Sequence, residues 1–226
     1  HGMIGMRYYL DPNKDAEFMV WNPPRDGRQY RIGVDVAEGI LVDGKSDFSV
    51  VTVMDTEAYE EVATWSGKID PDLLAWVCTT IARWYKNALL CVENNNHGLV
   101  TLKFLQQIHH YDNLYMEKAL DEKGQRTKKK LGFSTNLRTR PLILDHLRQL
   151  IRERVLVVHS KETIDELQTF VIHPNGKEAA QAGSHDDRVM SLALACYMIH
   201  MYPFEETQPS YFPTTRGGNR EIYVGA

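Results

Sequence analysis

The stretch Tyr30-Arg31-Ile32-Gly33-Val34-Asp35-Val36-Ala37-Glu38-Gly39 constrains this chain more than any other. It reads as a buried strand of apolar and β-branched residues, with an aspartate where an apolar residue belongs. A carboxylate in that setting is costly unless something positive holds it. Asp35 therefore lies either at a strand edge facing water or opposite a cation. The rest of the sequence has to decide between the two.

The elements around it follow a clear order. A short strand is expected near Glu17–Trp21. After the Asp35 strand, Phe48 to Met54 is an uninterrupted β-branched run, and Glu60 to Ile69 alternates. Three strands joined by tight turns imply an antiparallel meander. The period then changes. Asp70-Pro71-Asp72 supplies a cap and a proline for a helix start, and Leu73, Trp76, Val77, Thr80, Ile81 and Trp84 recur at helical spacing. Ala88 to Glu93 reads as a buried strand and Gly98 to His109 as a helix. Leu114 to Met116 and Val155 to Val158 read as short strands. Pro141 to Glu153, Ile164 to Phe170 and Ser184 to Met201 read as helices. The result is a mixed α/β domain, antiparallel strands first and parallel strands after, with a central sheet flanked by helices.

The 226 residues suit one domain, here 29–202. Residues 1–28 read as a lead-in, with His1-Gly2-Met3 a scar in front of a fragment of a longer protein. Residues 203–226, rich in Pro, Gly, Thr and Tyr, read as a flexible or partner-bound tail. No apolar run approaches membrane-spanning length. Cys78, Cys91 and Cys196 match no metal spacing and read as buried, reduced thiols.

A net charge of −4 gives no whole-chain signal for nucleic acid. Its distribution does. Lys118, Lys123, Arg126, Lys128, Lys129, Lys130, Arg138 and Arg140 cluster against only Asp121 and Glu122. Such a patch in a hairpin or loop over 117–133 can hold phosphate, or can be a solvated tip.

Gly39-Ile40-Leu41-Val42-Asp43-Gly44-Lys45-Ser46 matches the phosphate-cradling G-x-x-x-x-G-K-S loop. That loop works only between a strand and a helix, whose N-terminus faces the phosphates. The residues that follow here form a β-branched strand, so the match carries no nucleotide site.

The acidic positions are more informative. Glu93 ends the buried Leu89–Val92 run and opens the polar Asn94-Asn95-Asn96-His97-Gly98, one asparagine of which can cap the next helix. Ser184-His185-Asp186-Asp187 leads a strongly apolar helix. A capping box explains one of these acids but not two adjacent ones, which repel unless a cation lies between them. Asp47, just before the second strand, can join the group. Oxygen ligands of this kind suit Mg²⁺ or Mn²⁺, and two such ions support phosphodiester cleavage. No serine sits in a nucleophile elbow. His97 and His185 are candidate proton shuttles or solvated loop histidines.

Taken in order, Tyr30 to Gly39, Asp47-Phe48-Ser49-Val50, Cys91 to Gly98, Leu131-Gly132-Phe133-Ser134-Thr135-Asn136 and His185-Asp186-Asp187-Arg188 resemble the nuclease domain of the large terminase subunit of tailed bacteriophages. The resemblance spans roughly residues 17–202. It implies an RNase H-like fold and an endonuclease that uses Mg²⁺ or Mn²⁺ to cut concatemeric double-stranded viral DNA. Asp35, Glu93, Asp186 and Asp187 match the family's catalytic metal ligands, with Asp47 as an auxiliary group. The family's hairpin near the site falls at Arg126, Lys128, Lys129 and Lys130, expected to meet DNA. Implied partners are DNA, an ATPase motor domain of the same protein, the small terminase subunit and the portal. The implied location is the cytoplasm of the infected host, at the procapsid portal. Two departures stand out: no motor precedes the domain here, and Gly39–Ser46 looks like an insertion between Asp35 and Asp47. Rival readings are a junction resolvase or hybrid nuclease on the same fold, and a docking module without catalysis.

Overall fold

A computed structural model describes residues 6–8, 16–37, 41–42, 45–46, 48–120, 126–172, 178–180 and 185–204. In chain order the strands are β1 (Met6–Tyr8), β2 (Glu17–Val20), β3 (Tyr30–Asp35), β4 (Leu41–Val42), β5 (Lys45–Ser46), β6 (Ser49–Asp55), β7 (Glu60–Gly67), β8 (Leu89–Val92), β9 (Met116–Leu120), β10 (Arg126–Leu131), β11 (Phe170–Ile172) and β12 (Glu178–Ala180). The helices are α1 (Pro71–Trp84), α2 (Asn96–Gln107), α3 (Thr139–Arg152), α4 (Lys161–Thr169) and α5 (Asp187–Met201).

Six strands form the central sheet, in the order β1-β2-β7-β6-β3-β8. The strands pair antiparallel except β8, which runs parallel to β3. The expected meander is β3-β6-β7. The parallel part is narrower than the sequence suggested: beyond β8 it continues only as single bridges, Leu90 to Leu114 and Glu93 to Phe133. Leu114–Met116 is therefore a bridge leading into β9, which pairs with β10 as a hairpin. The sheet also takes in residues of the 1–28 lead-in, because β2 pairs with β7 and β1 with β2.

Val155–Val158 forms no strand. It contributes one parallel bridge, Glu60 to Val157. The segment is held instead by the buried Glu61, whose Oε2 accepts from the backbone N–H groups of His159 and Ser160, both at 2.8 Å. Burial raises the Glu61 carboxyl, and those N–H bonds, with the Thr64 hydroxyl's, oppose the rise. Val157 keeps two ladder bonds, its N–H to the Tyr59 carbonyl and the Glu61 N–H to its own carbonyl, and the carboxylate holds the backbone just beyond it.

Both faces of the central strands are covered. Every residue of β3 and β6 is buried, as expected of strands sandwiched between helices. One apolar cluster lies on the α1–α2 side, with Ile32, Val34, Leu74, Ile81 and Leu102. The other lies on the α5 side, with Ile143, Leu147, Leu192 and Met198. Cys78, Cys91 and Cys196 are buried and free. The G-x-x-x-x-G-K-S segment is followed by β6, as its rejection required; its residues 39–40 and 43–44 lie outside the described ones, as does the 205–226 part of the tail.

The packing of α5 on β3 sets up everything that follows. Strand side chains alternate between faces, so Arg31, Gly33 and Asp35 share the α5 face. Arg31 donates to the Tyr202 carbonyl at the end of α5, and Ser191 Oγ donates to the Gly33 carbonyl at 2.9 Å. The helix thus runs antiparallel to the strand. One helical turn back from Ser191 is about 6 Å, and two strand residues on from Gly33 about 6.6 Å. Asp187 consequently arrives over Asp35. This approach needs a residue without a side chain: a Cβ on Gly33 would lie 2.1 Å from the Ser191 carbonyl oxygen and 2.6 Å from the Ala195 nitrogen. Neither backbone atom can yield cheaply. Gly33→Ala is expected to cost about 1–3 kcal/mol or more of stability, read as a lowered urea midpoint; an unchanged midpoint would show that α5 can lift freely.

Candidate active site

Asp35 is the last residue of β3, and Glu93 follows the last residue of β8. Because the two strands are parallel with Val34 opposite Val92, both carboxylates leave the same end of the sheet. The Glu93 N–H donates to the Val34 carbonyl at 2.9 Å, continuing the ladder. The register alone makes these two residues neighbours, and their side chains share a hydrogen bond. Asp186 and Asp187 reach the same place from the start of α5. Asp35 is buried, and burial, the hydrogen bond and charge of Glu93, then the charges of Asp187 and Asp186 hold its carboxyl well above the usual carboxylate range. Burial and the surrounding negative charge thus favour the neutral form of Asp35. A centre that binds its own proton so firmly is one whose charge a cation would relieve.

Each remaining acid has a separate holder. Asp187 Oδ2 accepts from the Phe48 N–H at 3.2 Å, and His185 Nδ1 lies 3.6 Å from the same oxygen. Asp186 Oδ2 accepts from Arg140 Nη2 at 2.6 Å. Asp186 is the cap residue by position yet makes no capping bond with its side chain; the expected box of Ser184 with Asp187 lies outside the described residues. The cap comes from another helix. Glu166 of α4 accepts from the Arg188 N–H at 2.9 Å and from the Val189 N–H at 3.4 Å. That carboxylate satisfies two donors that a helix start leaves open and frees both aspartates to face Asp35. Burial pushes the Glu166 carboxyl up to about 7, against the lowering effect of Arg188.

The polar run after Glu93 is structural. Asn95 caps α2, accepting from the Gly98 N–H at 2.7 Å, while its amide donates to the Val36 carbonyl just past Asp35. A Cβ on Gly98 would fall 1.8 Å from the Glu93 carbonyl oxygen, so the helix start can press against Glu93 only with glycine there. His97 Nδ1 meets the Ala37 carbonyl at 3.0 Å. Asn94 donates to the Leu131 carbonyl, tying Glu93 to the base of the hairpin.

Of the basic residues expected to meet DNA, Arg126 and Lys128 lie in β10, in a stretch whose side chains are not described. Lys129 and Lys130 are exposed and point to different places. Lys130 Nζ donates to Ser134 Oγ, in the loop that leads to Arg140. Lys129 lines a cleft of about 690 Å³ with Arg28, Arg31 and Tyr202, at the opposite end of β3 from Asp35. Asp47 lies outside the described residues. Arg140 and Glu166 were not distinguishable in the sequence: Arg140 was one cation in a basic stretch and Glu166 one acid on an exposed-looking helix.

Asp35, Glu93, Asp186 and Asp187 fit a hard divalent ion in donor chemistry, all being carboxylate oxygens. Among the described residues no three acidic, His or Cys side chains already stand as a ligand set.

No protein-family model matches the chain. Solved structures do. The large terminase nuclease of thermophilic phage G20c with bound magnesium aligns over 86% of this chain and 92% of its own, with a TM-score of 0.61 and 20% identity. The same nuclease with bound cobalt gives a TM-score of 0.60 at 20% identity over the same shares. The large terminase nuclease domain of Thermus phage P74-26 gives 0.57 at 19% identity, over 87% of this chain and 90% of its own. The chain has the RNase H-like fold of these domains. Its structural neighbours are large terminase nuclease domains from phages of thermophilic hosts.

The raised carboxyls predict a definite pH response. Asp35 and Glu166 keep their protons to higher pH folded than unfolded, so the native state binds more protons over those intervals. Their contribution to stability is present in full at low pH and falls as pH rises, for Glu166 from the usual 4.5 to about 7. In chelator, the unfolding midpoint of Asp35→Asn and of Glu166→Gln should decline less between about pH 5 and about pH 8 than that of the parent. Equal slopes for parent and variants would refute the assignment.

Proposed function

We propose that this chain is the metal-dependent endonuclease domain of a viral DNA-packaging terminase, cutting concatemeric double-stranded DNA. The observation that carries the reading is the convergence of four carboxylates from two parallel strand ends and one helix start around the buried Asp35. The shared fold with terminase nucleases, some solved with magnesium, cobalt or zinc, supports it.

Asp35 and Glu93 would form one side of an ion site, and Asp186 and Asp187 the other. The four carboxylates would hold two Mg²⁺ or Mn²⁺ ions, whose chemistry is to activate water and stabilise a leaving oxygen. The protein's part is to hold four anions in place before any ion arrives. Asp35, held toward its neutral form, would give up its proton to act as a ligand, so ion binding would release a proton and strengthen with pH. His185, beside Asp187, is better placed for proton transfer than His97, whose ring nitrogen is engaged by the Ala37 carbonyl. Asp47 would be an auxiliary ligand. Lys130, with Arg126, Lys128 and Lys129 of the same hairpin, would meet backbone phosphate. The motor domain, small terminase subunit and portal would be partners in the host cytoplasm; among the described residues no helix is long and apolar enough to cross a membrane.

Cleavage of linear duplex with Mn²⁺ or Mg²⁺ is the direct test. Asp35→Ala and Glu93→Ala should both fall to the level of chelator-treated protein, and undiminished cleavage by either defeats the proposal. Preference for a four-way junction or an RNA–DNA hybrid over linear duplex would instead select the resolvase or hybrid-nuclease reading. Lys130→Ala should weaken duplex binding across sequences and lower the salt slope by roughly one, the share of a single phosphate; an unaltered slope removes Lys130 from the DNA surface.

A further inference from the structure

Arg140 has no role in the chemistry proposed above, yet it contacts the centre directly. Its guanidinium donates to Asp186 Oδ2 at 2.6 Å, with 22% of the Arg140 side chain and 28% of the Asp186 side chain exposed. Asp186 would ordinarily turn back to cap α5. It does not, because Glu166 has taken the cap. The direction of the Asp186 carboxylate is therefore set from outside its own helix.

The position of Arg140 is itself built. The Asn136 side chain accepts from the N–H groups of Arg138 and Thr139, and the Arg140 N–H donates to the Asn136 carbonyl at 2.9 Å. Thr139 Oγ1 donates to the Ser134 carbonyl. A residue earlier the chain is bolted to the strand that carries Glu93: the Phe133 N–H donates to the Val92 carbonyl, and the Asn94 N–H to the Phe133 carbonyl at 2.8 Å. A run of backbone and short side-chain bonds thus links the Glu93 strand to the guanidinium on Asp186. The two sides of the carboxylate group are joined through residues 133–140 as well as through the sheet.

We propose that Arg140 is a positioning residue of this centre, acting through Asp186. Its planar donor set fixes one oxygen of Asp186 and so aims the other. It also supplies positive charge to the most exposed of the aspartates while the centre holds no ion. The inference rests on reading the four carboxylates as ion ligands. Groups that orient a ligand in this way typically account for about 10–100-fold in metal affinity or activity.

The test uses the full chain and Mn²⁺ alone, with affinity from calorimetry and ligand symmetry from the Mn²⁺ paramagnetic-resonance spectrum. Cleavage of linear duplex is measured in parallel. Arg140→Ala should bind Mn²⁺ about 10–100-fold more weakly, with a changed spectrum. Arg140→Lys restores the charge without the planar fork and should recover only part of the loss. It also serves where the alanine variant does not fold. Wild-type Mn²⁺ affinity and spectrum in either folded variant overturn the proposal. A parent chain that binds Mn²⁺ but leaves duplex uncut defeats the endonuclease reading alone, and the Arg140 comparison is then decided on binding. A parent that takes up no Mn²⁺ overturns both.

Discussion

Four carboxylates brought to one end of a sheet repel one another, and the fold has to supply the force that keeps them there. That force is the burial of α5 against β3 and β6. The helix is apolar almost throughout, and it seats on a strand whose Gly33 leaves no side chain in the way. Burying apolar area contributes about 25 cal/mol per Å², and a helix this deeply enclosed can outweigh the electrostatic penalty at its first turn. The preference of the buried Asp35 for its neutral form lowers that penalty further. Stability of the scaffold and strain at the site are thus carried by the same pair of elements.

The secondary supports follow the same logic. Glu166 caps α5 from α4, Arg140 meets Asp186 from α3, and the Phe48 N–H meets Asp187 from the edge of β6. Each aspartate is held by a different neighbouring element, so the site is fixed by tertiary packing and not by local turn chemistry.

That distinction explains what could be read in the sequence. β3 and β6 are legible as runs rich in β-branched residues, β7 by its alternation, β8 as a short apolar run, and Pro71 marks the start of α1. Asp35 was legible as an exception inside such a run. The strand pairing that places Glu93 beside it followed from both lying at element ends. Val155–Val158 misled because its apolar residues line a surface near α3 and α4 while a carboxylate on β7 holds the backbone that follows. β2 is expected as a short strand, but the 29–202 boundary leaves it outside the domain although its alternating burial joins it to β7. Arg140 and Glu166 were illegible for another reason: each acts on a residue more than twenty positions away, and nothing in its own neighbourhood marks it.

The parallel pairing of β3 with β8 carries one more consequence. Strand side chains alternate, so a shift of β8 by a single residue would turn Glu93 onto the α1–α2 face and leave Asp35 without its neighbour. The connections between these elements are under no such restriction, since their lengths do not enter the register. Divergence in this fold can therefore run far in the turns and helix surfaces while a handful of backbone pairings remain invariant. A chain only one-fifth identical to its structural neighbours keeps their fold.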